Sequence, residues 1–366
     1  MRIALLANLE SNAPTWQGMP ADQWDDLDTP RSVNGILGAL RSGGHEAELL
    51  EATLQPPHNL IQRLEQFQPD LCFNIAEGHF GTGREAQIPA LLDMLRIPYT
   101  GSGVLTLALT LDKPMTKRVL LHHGLPTPEF QVLHHADQPL DPAFLAPDGS
   151  LRVPLFVKPA SEGSSMGVSA QSIVRTPEEL RAQVRALLDR YHQPVLCERY
   201  IAGREIMIGM VGNPDVATPC LAYETSRYDA IPAGLTVFPP QEADLDFYAE
   251  TEAGLYTNRI KTEFAGDFRY LCPAPLSPAQ EQELCLMAAM VFCVTGCHDF
   301  ARVDFRLDAN QHDQPYILEV NPLPGLSPGI SDLCLQANAA EWSYERLINT
   351  IVDVAVARYQ LAAQHT

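Results

Sequence analysis

Short apolar stretches alternate with amphipathic ones along the first third of the chain. The apolar stretches RIALLAN, AELLE and LCFNIA are separated by segments with helical spacing, one from about Arg31 and one near residues 59 to 67. Strands that alternate with helices form parallel βαβ units. We therefore predict that the N-terminal region is a parallel α/β layer.

The pattern changes after residue 104. A helix in LDKPMTKRVLLHHG precedes strands around a Gly/Ser-rich loop, and antiparallel character begins near residue 195. An apolar helix at 278 to 296, the strands ARVDFRL and PYILEVN, and a helix near 343 to 360 follow. The pattern predicts three units: an α/β domain (1–104), a small central α+β domain (105–196) and a C-terminal α+β domain (197–366).

Composition and charge restrict the class of protein. The 366 residues are 46% hydrophobic and 19% charged, which is ordinary for a globular chain of two or three domains. A formal net charge of −20 argues against a nucleic acid or an anionic membrane surface as the main partner. The apolar start is too short for a signal peptide and no segment approaches 18 apolar residues, so we expect a cytoplasmic protein.

The cysteines fall mostly in apolar segments and include no C-x-x-C pair. They are residues Cys72, Cys197, Cys220, Cys272, Cys285, Cys293, Cys297 and Cys334. This pattern favours reduced thiols in the core over a disulfide or zinc framework. The helical spacing of Cys285, Cys293 and Cys297 predicts that these three share one buried helix face.

Two apolar strands near the C-terminus carry candidate metal ligands. Alternate strand residues point to the same face, so Glu319 and Asn321 can reach one ligand, and Asp304 follows Arg302 in the same way on the preceding strand. If the strands pair, Asp304, Glu319 and Asn321 form an all-oxygen site of the kind that magnesium prefers. The alternative is that the carboxylates are strand-end caps or ion-pair partners of Arg302.

A Gly/Ser-rich loop, KPASEGSSMG at residues 158 to 167, is a candidate phosphate site. Its glycines, Ser164 and Ser165 offer hydrogen-bond donors to phosphate oxygens, and Lys158 offers a positive charge. Taken alone, the loop could also be a flexible turn. The chain contains neither the phosphate-binding G-x-x-x-x-G-K-[ST] pattern nor a G-x-G-x-x-G after the first strand.

Five motifs in order, TLDK, FVKPASEGSSMG, VLCERYIAGRE, ARVDF and ILEVNPLPG, resemble the ATP-grasp superfamily and, within it, the D-alanine:D-alanine ligase family. The segment IPYTGSG is also typical of that family, and the likeness runs from about residue 85 to the C-terminal region. It implies an ATP-grasp fold in which the N-terminal domain binds substrate and the other two domains enclose ATP. It also implies two magnesium ions, with manganese as an alternative.

The resemblance implies a nucleotide site. Lys113 and Lys158 would hold the phosphates, and Glu162, Ser164 and Ser165 would belong to the covering loop. The adenosine would contact Glu198, Arg199, Tyr200, Ile201 and Glu205.

It also implies a reaction site. Asp304, Glu319 and Asn321 would hold the metal, while Arg302 and the Gly325 backbone N–H would stabilise the reacting carboxyl group. Lys261, in a long polar stretch with little periodicity, is the candidate for a lysine that meets the γ-phosphate.

The implied reaction activates a carboxylate as an acyl phosphate, which an amine then attacks to form an amide. Charge neutralisation by magnesium, lysine and arginine drives such a transfer without a protein nucleophile. The expected partners are a small carboxylate and a small amine. Many relatives in the family are dimers, which leaves a homodimer open.

The substrate positions depart from the family pattern. The first strand lacks the usual glycine-rich turn with serine and glutamate, and Glu10 or Asp28 could substitute. Glu77 stands where a histidine is usual, with Arg84 and Glu85 close by. The usual serine for the second substrate is replaced by Ile330, next to Ser331.

We therefore predict a related ligase with a different acid or amine. The alternatives are a divergent D-alanine:D-alanine ligase, a nucleotide-binding regulatory module, and an enzyme that phosphorylates a carboxylate or joins peptides. Trp16 and Trp24 either pack the base of the early loop or line a substrate pocket.

Overall fold

A computed structural model describes residues 1–215, 230–244 and 270–361. Its helices in chain order are α1 (Pro30–Ser42), α2 (Leu60–Phe67), α3 (Gln87–Leu95), α4 (Val104–Leu111), α5 (Lys113–His122), α6 (Pro177–Tyr191), α7 (Pro278–Val294), α8 (Asp332–Ala339) and α9 (Tyr344–Tyr359). Its strands are β1 (Arg2–Ala7), β2 (Glu46–Glu51), β3 (Leu71–Asn74), β4 (Phe130–Leu133), β5 (Leu155–Pro159), β6 (Ile173–Val174), β7 (Val195–Arg199), β8 (Gly203–Gly212), β9 (Leu235–Val237), β10 (Gln241–Ala243), β11 (Tyr270–Leu271), β12 (Phe300–Asp308) and β13 (Gln314–Asn321).

The N-terminal sheet has the order β2-β1-β3, and both pairings are parallel. Side chains of β1 alternate between two cores, with Ile3 and Leu5 on one face and Ala4 and Leu6 on the other. A parallel sheet is normally covered on both faces, which explains why β1 is apolar without interruption. The predicted α/β layer is confirmed.

The central sheet is antiparallel, with the order β4-β7-β5-β6. Val157 of β5 and Val195 of β7 pack on apolar residues of α6, including Leu180 and Val184. The boundary expected at residue 196 falls inside β7, so the central unit extends to the end of that strand.

The C-terminal sheet is also antiparallel, with the order β11-β10-β8-β12-β13 and with β9 on β8. The apolar helix α7 covers one face, where Leu284 and Phe292 pack against Ile208 and Val303. The predicted pairing of the strands ARVDFRL and PYILEVN is present as β12 and β13. These two strands carry the candidate metal ligands.

Helix α9 packs in the N-terminal core rather than on the C-terminal sheet. Leu347 and Ile351 share a buried cluster with Ile36 and Leu40 of α1. The two helices approach closely at Gly43, where an added Cβ would lie 2.0 Å from Asn349 Oδ1. Glycine at residue 43 therefore leaves room for the Asn349 side chain between the two helices.

The described cysteines are all free thiols, as predicted, and Cys220 lies outside the described residues. The predicted single buried face for three of them is wrong. Cys285 and Cys293 are half-buried on α7, whereas Cys297 is buried beyond the end of that helix. Every helix in the described ranges is too short or too polar to cross a membrane.

Candidate active site

Two adjoining cavities lie among the three sheets and together contain most of the predicted site residues. The smaller, of about 100 Å³, is lined by the predicted residues Lys113, Lys158, Glu162, Ser165, Glu198, Arg199, Tyr200, Ile201, Glu205, Asp304 and Glu319. The larger, of about 250 Å³, is lined by the predicted residues Glu77, Glu85, Lys113, Glu162, Ser164, Arg302, Glu319, Asn321, Gly325 and Ser331. Lys113, Glu162 and Glu319 line both cavities, and we call these three residues the junction.

The register of β12 and β13 brings the candidate metal ligands together. Asp304 lies opposite Glu319, and Arg302 lies opposite Asn321. The Arg302 guanidinium donates to both oxygens of Asp304, at 2.7 and 2.8 Å, and the Asn321 amide lies 3.0 Å from Asp304 Oδ2. Asp304 is thus both an ion-pair partner of Arg302 and a neighbour of the other oxygen ligands.

The donor set fits a hard divalent cation. Two carboxylates and one carboxamide supply oxygen ligands, the type that magnesium prefers. Within the described ranges, no cluster of three or more His, Cys, Asp and Glu residues could hold a metal by itself. Magnesium commonly binds through one or two carboxylates together with substrate phosphates, and this site has that composition.

The third contact of Arg302 was not predicted from the sequence. Its Nη1 donates to Asp332 Oδ2 at 2.9 Å, and Gln241 Nε2 donates to the other oxygen of Asp332 at 2.7 Å. Asp332 is in the first turn of α8 and lines the larger cavity. Carboxylates on both sides therefore hold the guanidinium of Arg302 in place at the cavity wall.

Glu198 connects two buried lysines. Its oxygens lie 2.9 Å from Lys158 Nζ and 2.7 Å from Lys117 Nζ, and Lys117 also donates to Thr127 Oγ1 at 2.6 Å. The nearby lysines hold the pKa of Glu198 below its usual value despite complete burial. Lys117 was not predicted, although it lies one helical turn after Lys113 on the same face of α5. Glu198 thus orients cations beside the smaller cavity.

The residues that follow Glu198 connect neighbouring elements and line the smaller cavity. The Arg199 guanidinium donates to Glu129 at 2.7 Å and to Asp308 at 2.8 Å, so it links the central and C-terminal sheets. The Tyr200 ring stacks on Phe156 with the centroids 6.4 Å apart. The apolar lining residues Phe156, Met166, Val168, Ile201 and Leu318 offer a slot for a flat ring. Of these, only Ile201 was predicted from the sequence.

The Gly/Ser loop has an unusual backbone. Ser164 and Ser165 both have positive φ angles, 45° and 61°, and Gly167 follows at 74°. Non-glycine residues seldom adopt this left-handed region, and such positions concentrate at ligand sites. The Gly167 N–H donates to Asp22 Oδ2 at 2.9 Å. An aspartate of the N-terminal loop therefore holds the end of the Gly/Ser loop.

Asp22 makes further contacts with the central unit. The Tyr191 hydroxyl lies 2.8 and 2.7 Å from its two oxygens, and Arg190 donates to Oδ1 at 2.9 Å. This carboxylate thus joins the long N-terminal loop both to α6 and to the Gly/Ser loop. No local signal in the sequence predicted this connection.

The N-terminal side of the larger cavity is acidic. Arg84 does not line the cavity but lies behind it, where Nη2 donates to Asp26 at 2.5 Å and Nη1 donates to the Glu77 carbonyl at 2.9 Å. Burial raises the pKa of Glu77, of Glu85 and of Asp28. Asp28 lines the larger cavity, whereas the other candidate substitute, Glu10, is exposed.

The two tryptophans of the early loop pack its base. Trp24 is buried and donates to the Pro14 carbonyl at 2.8 Å, and its ring meets those of Trp16, His79 and Phe80. Neither tryptophan is among the residues that line the two described cavities.

The larger cavity is also lined by Gly325, Ile330 and Ser331. The Ser331 hydroxyl accepts a hydrogen bond from the Ser327 N–H at 2.9 Å. An added Cβ at residue 325 would lie 2.9 Å from Ser331 Oγ, so glycine keeps this wall open. Lys261 lies outside the described residues.

Comparisons with known proteins agree with this architecture. The family model described as the C-terminus of D-Ala D-Ala ligase matches residues 119–229 and 245–353. A D-alanine–D-alanine ligase of Cupriavidus necator is 35% identical over 326 residues, which are 88% of this chain and 86% of the relative. An uncharacterised protein of Sinorhizobium fredii is 34% identical over 337 residues, which are 90% of this chain and 88% of the relative.

A crystal structure of D-alanine–D-alanine ligase from Bacillus anthracis, complexed with ATP, shares the fold. It superposes with a TM-score of 0.70 at 21% identity and covers 99% of both chains. The expected ATP-grasp fold and the expected enzyme class are therefore confirmed, and the non-catalytic alternative is set aside. This chain belongs to the D-alanine–D-alanine ligase family and is an ATP-dependent ligase.

Proposed function

We propose that the protein joins a small carboxylate to a small amine, with ATP in the smaller cavity and both substrates in the larger one. The observation that carries this proposal is the junction, where Lys113, Glu162 and Glu319 line both cavities. A carboxylate in the larger cavity can meet the γ-phosphate of ATP at this point. Positioning of that kind supplies much of the rate of phosphoryl transfer.

The reaction proceeds in two steps. A carboxylate oxygen bonds to the γ-phosphorus, the bond to the bridging oxygen breaks with its electron pair, and ADP leaves an acyl phosphate behind. The amine nitrogen then bonds to the acyl carbon, phosphate leaves with the electron pair of its C–O bond, and the nitrogen loses a proton. The products are an amide, ADP and inorganic phosphate.

The cationic side chains have distinct roles in this scheme. Lys113 and Lys158 bind phosphate oxygens, and Lys117 keeps Glu198 in place behind Lys158. Arg302 stands on the wall of the larger cavity and stabilises the acyl phosphate and the tetrahedral state. Because two aspartates already orient Arg302, little reorganisation is needed when charge develops.

The metal and loop residues complete the proposed site. Asp304, Glu319 and Asn321 would hold two magnesium ions, which would neutralise phosphate charge when bound. Ser164 and Ser165 would cover the phosphates, Glu205 would contact the ribose, and the Gly325 N–H would donate to the reacting carbonyl oxygen. The role of Lys261 at the γ-phosphate remains a proposal from sequence.

The substrates are amino acids or small peptides that differ from a pair of D-alanines. The support for this part is the substrate side of the larger cavity, where Asp28, Glu77 and Ile330 depart from the family pattern. The competing candidate is D-alanyl-D-alanine synthesis, because relatives at 31 to 35% identity are named D-alanine–D-alanine ligase.

An ADP-release assay over D- and L-amino acids, dipeptides and other small carboxylates tests the proposal, with products identified by mass spectrometry. We expect an amide product together with one ADP per bond. Formation of D-alanyl-D-alanine alone would overturn the altered specificity, and failure to bind ATP with magnesium in calorimetry would overturn the ligase assignment. Light scattering of the same sample tests whether the protein is a homodimer.

A further inference from the structure

The N-terminal unit contributes four carboxylates to the lining of the larger cavity. These residues, Asp26, Asp28, Glu77 and Glu85, are called the acidic end below. Among the described residues, the cation in contact with this group is Arg84, which bonds to Asp26 at 2.5 Å and lies 3.7 Å from Glu77 Oε2. One guanidinium therefore faces four carboxylates.

Two oxygens of the acidic end are buried without a hydrogen-bond partner. The Asp26 side chain is 5% exposed, and its Oδ1 accepts no hydrogen bond from the described residues. Asp28 Oδ2 is buried and unsatisfied in the same way. Buried polar atoms in native proteins nearly always have partners, so these two oxygens point to a ligand with hydrogen-bond donors.

The charge balance specifies the kind of donor. Arg84 can neutralise one of the four groups, and burial raises the pKa of Asp28, Glu77 and Glu85, so a positively charged ligand would let more of them ionise. The α-ammonium group of an amino-acid substrate would supply one such charge. Lys113 also acts on Glu85 electrostatically, but its direct contacts are at the junction, where it donates to the Glu162 carbonyl and lies 3.7 Å from Glu319. Buried carboxylates without counter-charges are costly, so a further positive charge must come from the ligand or the groups must take up protons.

The position of the acidic end indicates which of the two substrates it binds. Arg84 Nη2 lies 3.7 Å from Glu162 Oε2, so the acidic end adjoins the junction where the carboxylate would be activated. This adjacency favours binding of the acid that is phosphorylated over binding of the amine that attacks it.

We propose that the activated substrate is an amino acid whose side chain carries a second cationic group, an amine or a guanidine, and that the acidic end binds this group. The inference rests on the proposed function, because it names the acid for the same carboxylate activation. Asp28 is the specificity-determining residue that can be tested most cleanly, since asparagine keeps its shape and removes only its charge.

Hydroxylamine as the amine makes the test independent of the natural acceptor, since it converts any acyl phosphate into a hydroxamate. We compare kcat/KM for hydroxamate formation between matched acids, lysine against norleucine and ornithine against norvaline, each as D- and L-form. The basic member of a pair should be favoured at least about tenfold, since a hydrogen bond to a charged group contributes about one to two powers of ten. Equal or better activity with the neutral acids would overturn the inference and leave the ligase function standing.

Two variants complete the test. Asp28→Asn should lower kcat/KM for the basic acid by roughly tenfold or more beyond any loss for the matched neutral acid. Glu10→Gln, an exposed carboxylate in the same N-terminal loop, should change neither value. An equal loss for both acids in Asp28→Asn would show a purely structural role and overturn the inference. Absence of hydroxamate with every acid, while ATP still binds, would overturn the proposed function as well.

Discussion

Asp22 and Gly167, separated by 145 residues, are joined by a hydrogen bond of 2.9 Å from the Gly167 N–H to Asp22 Oδ2. The same carboxylate also accepts a hydrogen bond from the Tyr191 hydroxyl. Because the Gly/Ser loop borders both cavities, this contact ties that loop to the domain that carries the acidic end. The long N-terminal loop therefore contacts a loop of the smaller cavity and also lines the larger one.

Replacement of Asp22 by alanine should weaken ATP binding by roughly tenfold, because a charge-assisted hydrogen bond that orders the loop is lost. Titration calorimetry with ATP and magnesium measures the dissociation constant. Glu10→Ala, which changes an exposed carboxylate in the same N-terminal loop, is the control. Unchanged affinity in the Asp22 variant would show that the loop keeps its conformation without this contact.

Glu319→Gln should reduce kcat by at least about a hundredfold, the scale of losing one preorganised electrostatic contact at a reaction centre. The substitution preserves shape and leaves the β12–β13 pairing intact, so the melting temperature should stay within about 2 °C of the wild type. Glu283→Gln on the exposed side of α7 serves as the comparison. Retained turnover would mean that the metal ligands are assigned incorrectly.

Lys117→Met should lower the free energy of unfolding by about 3 kcal/mol, because removal of one partner leaves Glu198 with a single buried counter-charge. Urea titration followed by circular dichroism measures the loss. Arg118→Met changes the next residue on the exposed face of α5 and should cost little. Similar midpoints for the two variants would contradict a structural role for Lys117.

Glu85 gives a pH-dependent test of the acidic end. Burial raises its pKa from 4.5 to about 7, with Arg84 opposing the shift and Asp26 adding to it. The folded protein therefore binds more protons than the unfolded chain between these two values, and stability falls as the pH rises through this window.

Glu85→Gln removes this proton uptake, so from pH 5 to pH 8 the variant should lose about 1–3 kcal/mol less stability than the wild type. The two proteins are compared by urea unfolding at both pH values. Glu65→Gln, an exposed residue of α2, should follow the wild-type curve. Parallel curves for all three proteins would show that Glu85 is ionised in the fold across this range.

The parts of the fold and of the site that could be predicted from the sequence are those that local periodicity determines. The two-residue repeat of a strand places Arg302 with Asp304 and Glu319 with Asn321, and apolar alternation identified both strands. Helix α9 was located by its pattern, but its packing on α1 depends on residues about 300 positions earlier in the chain. A sequence pattern shows which face of a helix or strand is apolar, but it does not show which other element covers that face.

The site residues that were not predicted from the sequence were missed for one physical reason. Lys117 is a charged residue buried by tertiary packing, and Asp332 acts through Arg302 on another element. Asp26 binds Arg84, which is 58 residues away. Contacts of this kind depend on how separate elements meet, and no signal within a window of 10 to 20 residues encodes them.

The packing of α9 on the N-terminal core also determines when that core can form during synthesis. Asn349 of α9 donates to the Ala39 carbonyl 310 residues earlier. At a synthesis rate of about 5–20 residues per second, roughly 15 to 60 s pass between the synthesis of α1 and the synthesis of α9. Through that interval the apolar side of α1 is open to solvent or to a chaperone, and the first domain to be made is the last to be completed.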